Sequence, residues 1–185
     1  MPSLGYSFFK DIKVSDSIEQ LYPTFVETGT WRGDTIFLME KHFDRLHTVE
    51  IKEQFYLEAR EKYNGDKISF HLGDSSDVLP KIVSKLTGNT IFFLDGHWSS
   101  GNTGRGVKDC PLIEELKAVC MLPHAAIIII DDCRPAGGVR WRDWEGITES
   151  AIFAILDDRL EQTYYLPSPL HKEDRLVIHM NQLNN

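Results

Sequence analysis

Five short apolar runs mark the first 131 residues: "TFVET" (24–28), "RLHTVEI" (45–51), "ISFHLGD" (68–74), "TIFFLD" (90–95) and "AAIIIID" (125–131). The last two are continuously apolar and rich in β-branched and aromatic residues, as strands covered on both faces are. Between successive runs lie longer amphipathic stretches, 33–43, 52–63, 76–86 and 111–121, which read as helices. Pro111 suits a first helical position, with Asp109 or Cys110 before it as the cap. Strands alternating with helices build βαβ units, and hence an α/β fold around a mostly parallel sheet.

After residue 131 the pattern changes. A loop rich in Gly, Arg and Trp, "CRPAGGVRWRDWEG", leads to a helix near 147–158. Then "EQTYYLP" and "DRLVIHMN" flank the polar turn "SPLHKE" and read as a hairpin. The sheet therefore finishes with one antiparallel strand, and right-handed crossovers fix most of the remaining topology. The sixth strand runs parallel to the others, so the turn at 168–173 returns to their carboxyl edge. No linker or repeat divides the chain, which is expected to form a single domain over 1–185. Residues 1–20 are a lead-in whose Tyr6, Phe8 and Phe9 either pack on the core or form a lid.

Composition narrows the function classes. With 185 residues, 42% of them hydrophobic and 26% charged, the chain has the make-up of a globular domain with a sizeable core. A net charge of −8 and a pI near 5.3 argue against a general nucleic-acid or anionic-membrane partner. Three cysteines (Cys110, Cys120, Cys133) with no CxxC pair read as idle thiols of a reducing compartment. The N-terminus lacks the apolar core of a signal peptide, and no run approaches the roughly 18 apolar residues of a membrane span. A cytoplasmic location is expected, and a homodimer is compatible with the sequence.

The candidate chemistry sits at the strand ends. Glu27, Glu50, Asp74, Asp95 and the pair Asp131–Asp132 each lie at or near the end of a strand. Ligands of open α/β sheets bind outside that edge. Glu27 opens an E-x-G-x-x-x-G element, in which Gly29 and Gly33 either make a tight βα turn or let a cofactor approach the backbone. It is not the dinucleotide G-x-G-x-x-G. Glu50, 23 residues further on, suits a ribose diol. Asp74 and Ser75 either read an adenine edge or cap the next helix.

Glu27-x-Gly29-x-x-x-Gly33, Glu50, "GDS" at 73–75 and "FLDGH" at 93–97 resemble the class I S-adenosylmethionine-dependent methyltransferases over most of the chain. The resemblance implies a Rossmann-like doubly wound sheet of order 3-2-1-4-5-7-6 and S-adenosyl-L-methionine as cofactor. Glu27 and Gly29 would lie near its methionine, Glu50 on the ribose, and Asp74–Ser75 near adenine. Thr28, Thr30, Gly33, Thr35 and Asp95 would complete the cofactor-binding set. An acidic loop also suits a sulfonium cation better than a phosphate-cradling loop does, which favours this reading over an NAD-dependent oxidoreductase.

Asp95, Asp131 and Asp132 fall at the same edge. Carboxylates converging to about 4 Å repel by roughly 4 kcal/mol per pair at an effective dielectric of about 20, so the set needs a proton or a cation. Hard oxygen ligands suit Mg²⁺, with Mn²⁺ or Ca²⁺ as alternatives. Pairing with an arginine would serve equally. Adjacent strand residues point to opposite faces, so Asp131 and Asp132 share a metal only where the strand has ended. The pattern is similar to metal-dependent O-methyltransferases acting on sugars, which implies an acceptor hydroxyl on the metal and a nearby base. His97, next to Asp95, is the candidate base or else a loop-fixing histidine. Trp98, Arg134, Arg140, Trp141 and His171, with Arg142 and Trp144 in the same loop, are candidates for holding a small-molecule or glycan acceptor by ring stacking and anion pairing. Methylation of a catechol or other aromatic diol, and non-catalytic binding of the cofactor, are the alternative functions.

Overall fold

The apolar runs become central strands. In the computed structural model, which describes residues 4–98, 101–134, 144 and 146–184, the strands are Thr24–Thr28 (β1), Arg45–Glu50 (β2), Ile68–Leu72 (β3), Thr90–Leu94 (β4), Ala126–Ile130 (β5), Leu160–Leu166 (β6) and Arg175–Met180 (β7). They form one sheet of order β3-β2-β1-β4-β5-β7-β6. The pairings from β3 to β5 are parallel, while β7 runs antiparallel to both β5 and β6. Every position of β4, β5 and β7 is buried, whereas the edge strands β3 and β6 are partly exposed. The run Ile127–Ile130 is thus apolar throughout because both faces of its strand are covered.

The helices are Ile18–Leu21 (α1), Asp34–Met39 (α2), Glu53–Lys62 (α3), Ser75–Val83 (α4), Leu112–Val119 (α5) and Glu149–Leu156 (α6). Each of the last five is shorter than the amphipathic stretch that announces it. Pro111 is the N-cap residue of α5, not its first helical residue. One face of the sheet (Val26, Phe92, Ile128, Ile178) packs under α4, α5 and α6. The other (Phe25, Leu46, Ile91, Phe93, Ile127, Ile129) packs under α1, α2 and the short 3₁₀ turn Tyr6–Asp11. Phe8 and Phe9 are buried there, Phe9 against Phe25 and Phe43 and Phe8 against Phe9, and Tyr6 stacks on His42. Of the two alternatives for these aromatics, Phe8 and Phe9 take core packing, and Tyr6 is half-buried beside them.

The hairpin is tied to β5 by charge as well as by backbone. Arg175 Nε donates to Asp131 Oδ1 at 2.9 Å, both side chains are buried, and the guanidinium also covers the Phe8 ring. Removing one partner of such a pair strands the other charge in the interior. Arg175→Met is therefore expected to lower stability by about 3 kcal/mol, a fall in melting temperature of about 6–12 °C. Adding Asp131→Asn should restore part of the loss. A single variant within about 1 kcal/mol of wild type in a denaturant titration would remove the pair from the fold's supports.

Candidate active site

The chain runs outward from β1 to β2 and β3, then crosses back to place β4 beside β1. The loops after β1 and β4 therefore diverge and leave a crevice at the carboxyl edge. Gly29 sits at that point with φ +86°, its N–H donated to Val49 O at 2.9 Å. A Cβ there would drive into the backbone carbonyl of Asp95, so only glycine lets the two loops touch. Glu50 holds the rest of the first loop: Trp31 N–H donates to Oε2 at 2.7 Å and Lys52 N–H to Oε1 at 2.9 Å. Burial pushes the Glu50 carboxyl up, and these N–H bonds oppose it. Beneath the loop, Thr48 donates its hydroxyl to Glu27 Oε2 at 2.8 Å. Glu27 is buried, and burial moves its pKa well above the ordinary carboxylate value despite that bond; the charges of Asp95 and Glu50 add to the shift.

A cavity of about 290 Å³ opens over this edge. Of the residues expected at a cofactor, Glu27, Gly29, Thr30, Thr35, Glu50, Asp74, Ser75 and Asp95 line it. Thr28 and Gly33 do not. Thr28 follows Glu27 on the strand and so faces the opposite side, where its hydroxyl is buried close to Glu115. Gly33, with φ +81°, serves the turn into α2. Asp74 takes the capping role of its two expected ones. Its Oδ1 caps α4 by accepting from Ser76 N at 3.0 Å and Ser76 Oγ at 2.7 Å, while the residue also borders the cavity.

At the other end of the cavity stand Asp95, His97 and Trp98. His97 lies between two acids: Nδ1 is 3.6 Å from Asp95 Oδ1, and Nε2 is 2.8 Å from Asp132 Oδ2. Trp144 packs against its ring. Burial alone would lower the imidazole pKa. The bond to Asp132 and the charges of Asp95, Asp132 and Asp131 outweigh it and hold the pKa above its ordinary value. Asp132 reaches His97 because its backbone is left-handed (φ +57°), which breaks the alternation of the strand. Burial raises its pKa, but bonds from His97 and Arg134 prevail and bring it down to about 2.

The metal set expected from the sequence is rearranged. Asp131 and Asp132 gather with Asp174, their oxygens within 4.8 Å of one another, and Asp95 stands outside that group. Internal cations meet its charge: Arg175 on Asp131, and Arg134 on both Asp132 and Asp174. Carboxylates held in this way do not present the open oxygen face that Mg²⁺, Mn²⁺ or Ca²⁺ requires. Arg134, expected at the acceptor, is part of this lattice and does not line the cavity. His171 fixes the hairpin turn, its Nδ1 accepting from Glu173 N at 3.0 Å. Arg140, Trp141 and Arg142 lie outside the described residues.

Sequence reasoning missed two features. Thr103, Gly104, Gly106 and Lys108, in the long β4–α5 connection, also line the cavity. Glu115 is buried in α5 beside Gly96 and close to the Ser75 and Thr28 hydroxyls, and burial raises its pKa against their opposing effect. The spacing Leu112, Glu115, Leu116, Val119 places this acid in the helix's apolar stripe, a signal visible in the sequence.

No protein-family model matches the sequence, and no curated protein sequence matches it. Solved structures do. Human methyltransferase-like protein 13 in complex with SAH aligns with a TM-score of 0.56 at 15% identity, over 90% of this chain and 74% of that one. SMU.1697c of Streptococcus mutans, also in complex with SAH, aligns with a TM-score of 0.53 at 15% identity, over 90% and 93%. The mitomycin 7-O-methyltransferase MmcR aligns at 0.51 and 17%, over 88% of this chain and 49% of its own. The fold is that of the class I methyltransferases.

The arrangement around His97 makes a measurable claim. In an NMR titration His97 should titrate above the ordinary imidazole value, and Asp132→Asn should lower its pKa, because the imidazolium loses its nearest anion. Asparagine tolerates the left-handed backbone. An unmoved His97 pKa would show that Asp132 does not hold the proton there.

Proposed function

We propose that this chain transfers a methyl group from S-adenosylmethionine to a hydroxyl of a small polar acceptor, a sugar or glycan. The observation that carries this reading is one cavity joining Glu50 and Asp74, suited to a nucleoside, to the Asp95–His97 pair, suited to moving a proton. The cofactor's fit rests on the donor set: Glu50 and Asp74 as acceptors for ribose and adenine, and a buried Glu27 whose raised pKa marks a place where positive charge is missing. When bound, S-adenosylmethionine supplies an electrophilic methyl on a sulfonium.

The chain's own residues do the rest. Asp95 and His97 face the cavity and receive the acceptor hydroxyl by hydrogen bonding. Once neutral, His97 takes the hydroxyl proton, and Asp132 behind it stabilises the imidazolium that results. Trp98 offers a face for a sugar ring. Gly29 and its loop hold the reacting groups in register, which is the larger part of catalysis for such a transfer. Assistance by a divalent metal is a separate proposal, since it would need Arg134 and His97 to leave the Asp131–Asp132–Asp174 group.

The direct test is incubation with S-adenosylmethionine and a panel of sugars, nucleotide sugars and catechols, with mass spectrometry of the products. A methylated sugar is expected, with His97→Ala lowering turnover about 100-fold. Turnover should persist in EDTA; a loss restored by Mg²⁺ would put the metal back. Methylated catechol in place of sugar would overturn the acceptor class, and no product from the panel would count against the activity.

Cofactor binding carries a second prediction. A cation beside Glu27 favours its ionised form, so below the raised pKa binding must expel a proton. Affinity for S-adenosylmethionine should therefore rise as the pH rises from the ordinary carboxylate range towards the raised Glu27 pKa, more steeply than for the uncharged-sulfur product S-adenosylhomocysteine. Glu27→Gln should remove the difference between the two ligands. Equal slopes in wild type would place the sulfonium elsewhere.

A further inference from the structure

Away from the cavity, β2 and β3 carry two histidines on one face of the sheet. Register sets His47 opposite Ser69 and Val49 opposite His71. Ile68 and Phe70 pack into the core on the α2 face, so Ser69 and His71 project to the other side with His47 and Val49. The two imidazoles are half-buried and meet directly. His47 Nδ1 lies 3.1 Å from His71 Nε2, with the ring centroids 5.4 Å apart and the planes at 29°. Neither histidine lines the cavity. A separate hollow of about 270 Å³ opens beside His47, bordered by Asp44, Asp66 and Ser69 as well as by Arg45 and Lys67. Burial, with His71, Arg45 and Lys85 adding to it, holds the His47 pKa down at about 4; burial and Lys85 lower that of His71. Both rings are therefore neutral near pH 7.

We propose that His47 and His71 form a transition-metal site, supplying two imidazole ligands to one Zn²⁺, Cu²⁺ or Ni²⁺ ion. Two nitrogens bound at about 2.0–2.1 Å to a tetrahedral Zn²⁺ lie about 3.3 Å apart. Adjacent nitrogens on a square-planar Cu²⁺ lie about 2.9 Å apart. The separation of 3.1 Å falls between these values, so the paired strands already hold the two ligands at coordinating distance. In the pair as it stands, one ring donates its N–H to the other. Coordination replaces that bond: the donating ring carries its proton on its other nitrogen, by exchange with solvent, and both facing lone pairs go to the metal. Each imidazole stays neutral and no net proton is released. Among the described residues no further His, Cys, Asp or Glu completes a group of three with them, so water fills the remaining positions. Asp44 and Asp66 at the hollow counter the charges of Arg45 and Lys67. Imidazole suits these ions and not Mg²⁺ or Ca²⁺, which take oxygen ligands. The bound ion would fasten the edge strand β3 to β2 through side chains as well as through the backbone ladder.

Imidazole NMR spectra, recorded while Zn²⁺ is added to chelator-treated protein, test the site on the wild-type chain alone. The His47 and His71 signals should move together and reach saturation. Amide exchange over residues 68–72 should slow in the zinc-bound protein, because opening the edge strand then also breaks the metal link. Calorimetry should give tighter binding for Cu²⁺ than for Zn²⁺, following the stability order of the divalent ions, and none for Mg²⁺ at this pair. His47→Gln and His71→Gln keep a hydrogen-bonding side chain and remove one ligand. Each should weaken Zn²⁺ binding by about tenfold or more, since even a group behind a ligand is worth about 10–100-fold. His124→Ala, in the α5–β5 loop, should leave the affinity unchanged. The absence of saturable Zn²⁺ binding would overturn the site and leave a hydrogen-bonded pair only. Zinc that shifts His97 while His47 and His71 stay still, or undiminished affinity in both glutamine variants, would overturn it as well.

Discussion

Arg175 reaches across from β7 to Asp131 at the end of β5, and the remaining charges at that edge arrange themselves around this contact. With one cation committed to Asp131, the next residue cannot follow the strand's alternation without meeting the same crowded interior. Asp132 instead takes a left-handed backbone and turns its carboxylate to His97 and Arg134. Arg134 in turn meets Asp174 just before β7, and the backbone N–H groups of Cys133 and Arg134 donate to Asp174 O and Oδ1, so the hairpin and the β5 loop are bound to each other at three points. The position of His97 is thus settled from behind, by residues that never touch the cavity.

The sheet was legible in the sequence because its signals are local. Continuous isoleucines mark β5, a polar turn between two apolar runs marks the hairpin, and the alternation of strands with amphipathic stretches gives the topology. Helix ends were less legible, since periodicity says nothing about the backbone at Gly33 or Pro111. Within the site, Glu27, Glu50, Asp74 and Asp95 could be placed because strand ends converge in any open α/β sheet. Thr28 could have been excluded by the same alternation that places Glu27. The lattice of Asp131, Arg175, Arg134 and Asp174 could not be foreseen: its partners lie about 40 residues apart, and the sequence carries no pairing signal.

The β4–α5 connection was illegible for a different reason. It has neither helical nor strand periodicity, and its glycines at 101, 104 and 106 read as loop punctuation. Those at 104 and 106 take their meaning from the Glu50 and Asp74 side chains they pack against. Gly96 shows the same dependence: a side chain there would come within 3.0 Å of Glu115 Oε1 and 3.1 Å of Thr28 Oγ1, both on buried residues. Sequence spacing located the acids, but it could not show which oxygens were already occupied.

Those occupancies give the two ends of the cavity opposite electrostatic character. At the Glu27 end a buried carboxyl has a hydroxyl for company, and burial favours its neutral form. At the His97 end the acids are matched by an imidazole and two guanidinium groups, and burial is outweighed by pairing. A cationic ligand gains most at the first end, where it replaces a proton. An oxygen losing its proton gains most at the second, where a hydrogen-bonded imidazolium can face it. A transfer between them brings a positive donor to a developing negative acceptor and leaves neutral products. Preorganised groups at the two ends would favour the proposed transfer, because the charges they stabilise are the ones such a reaction creates and consumes.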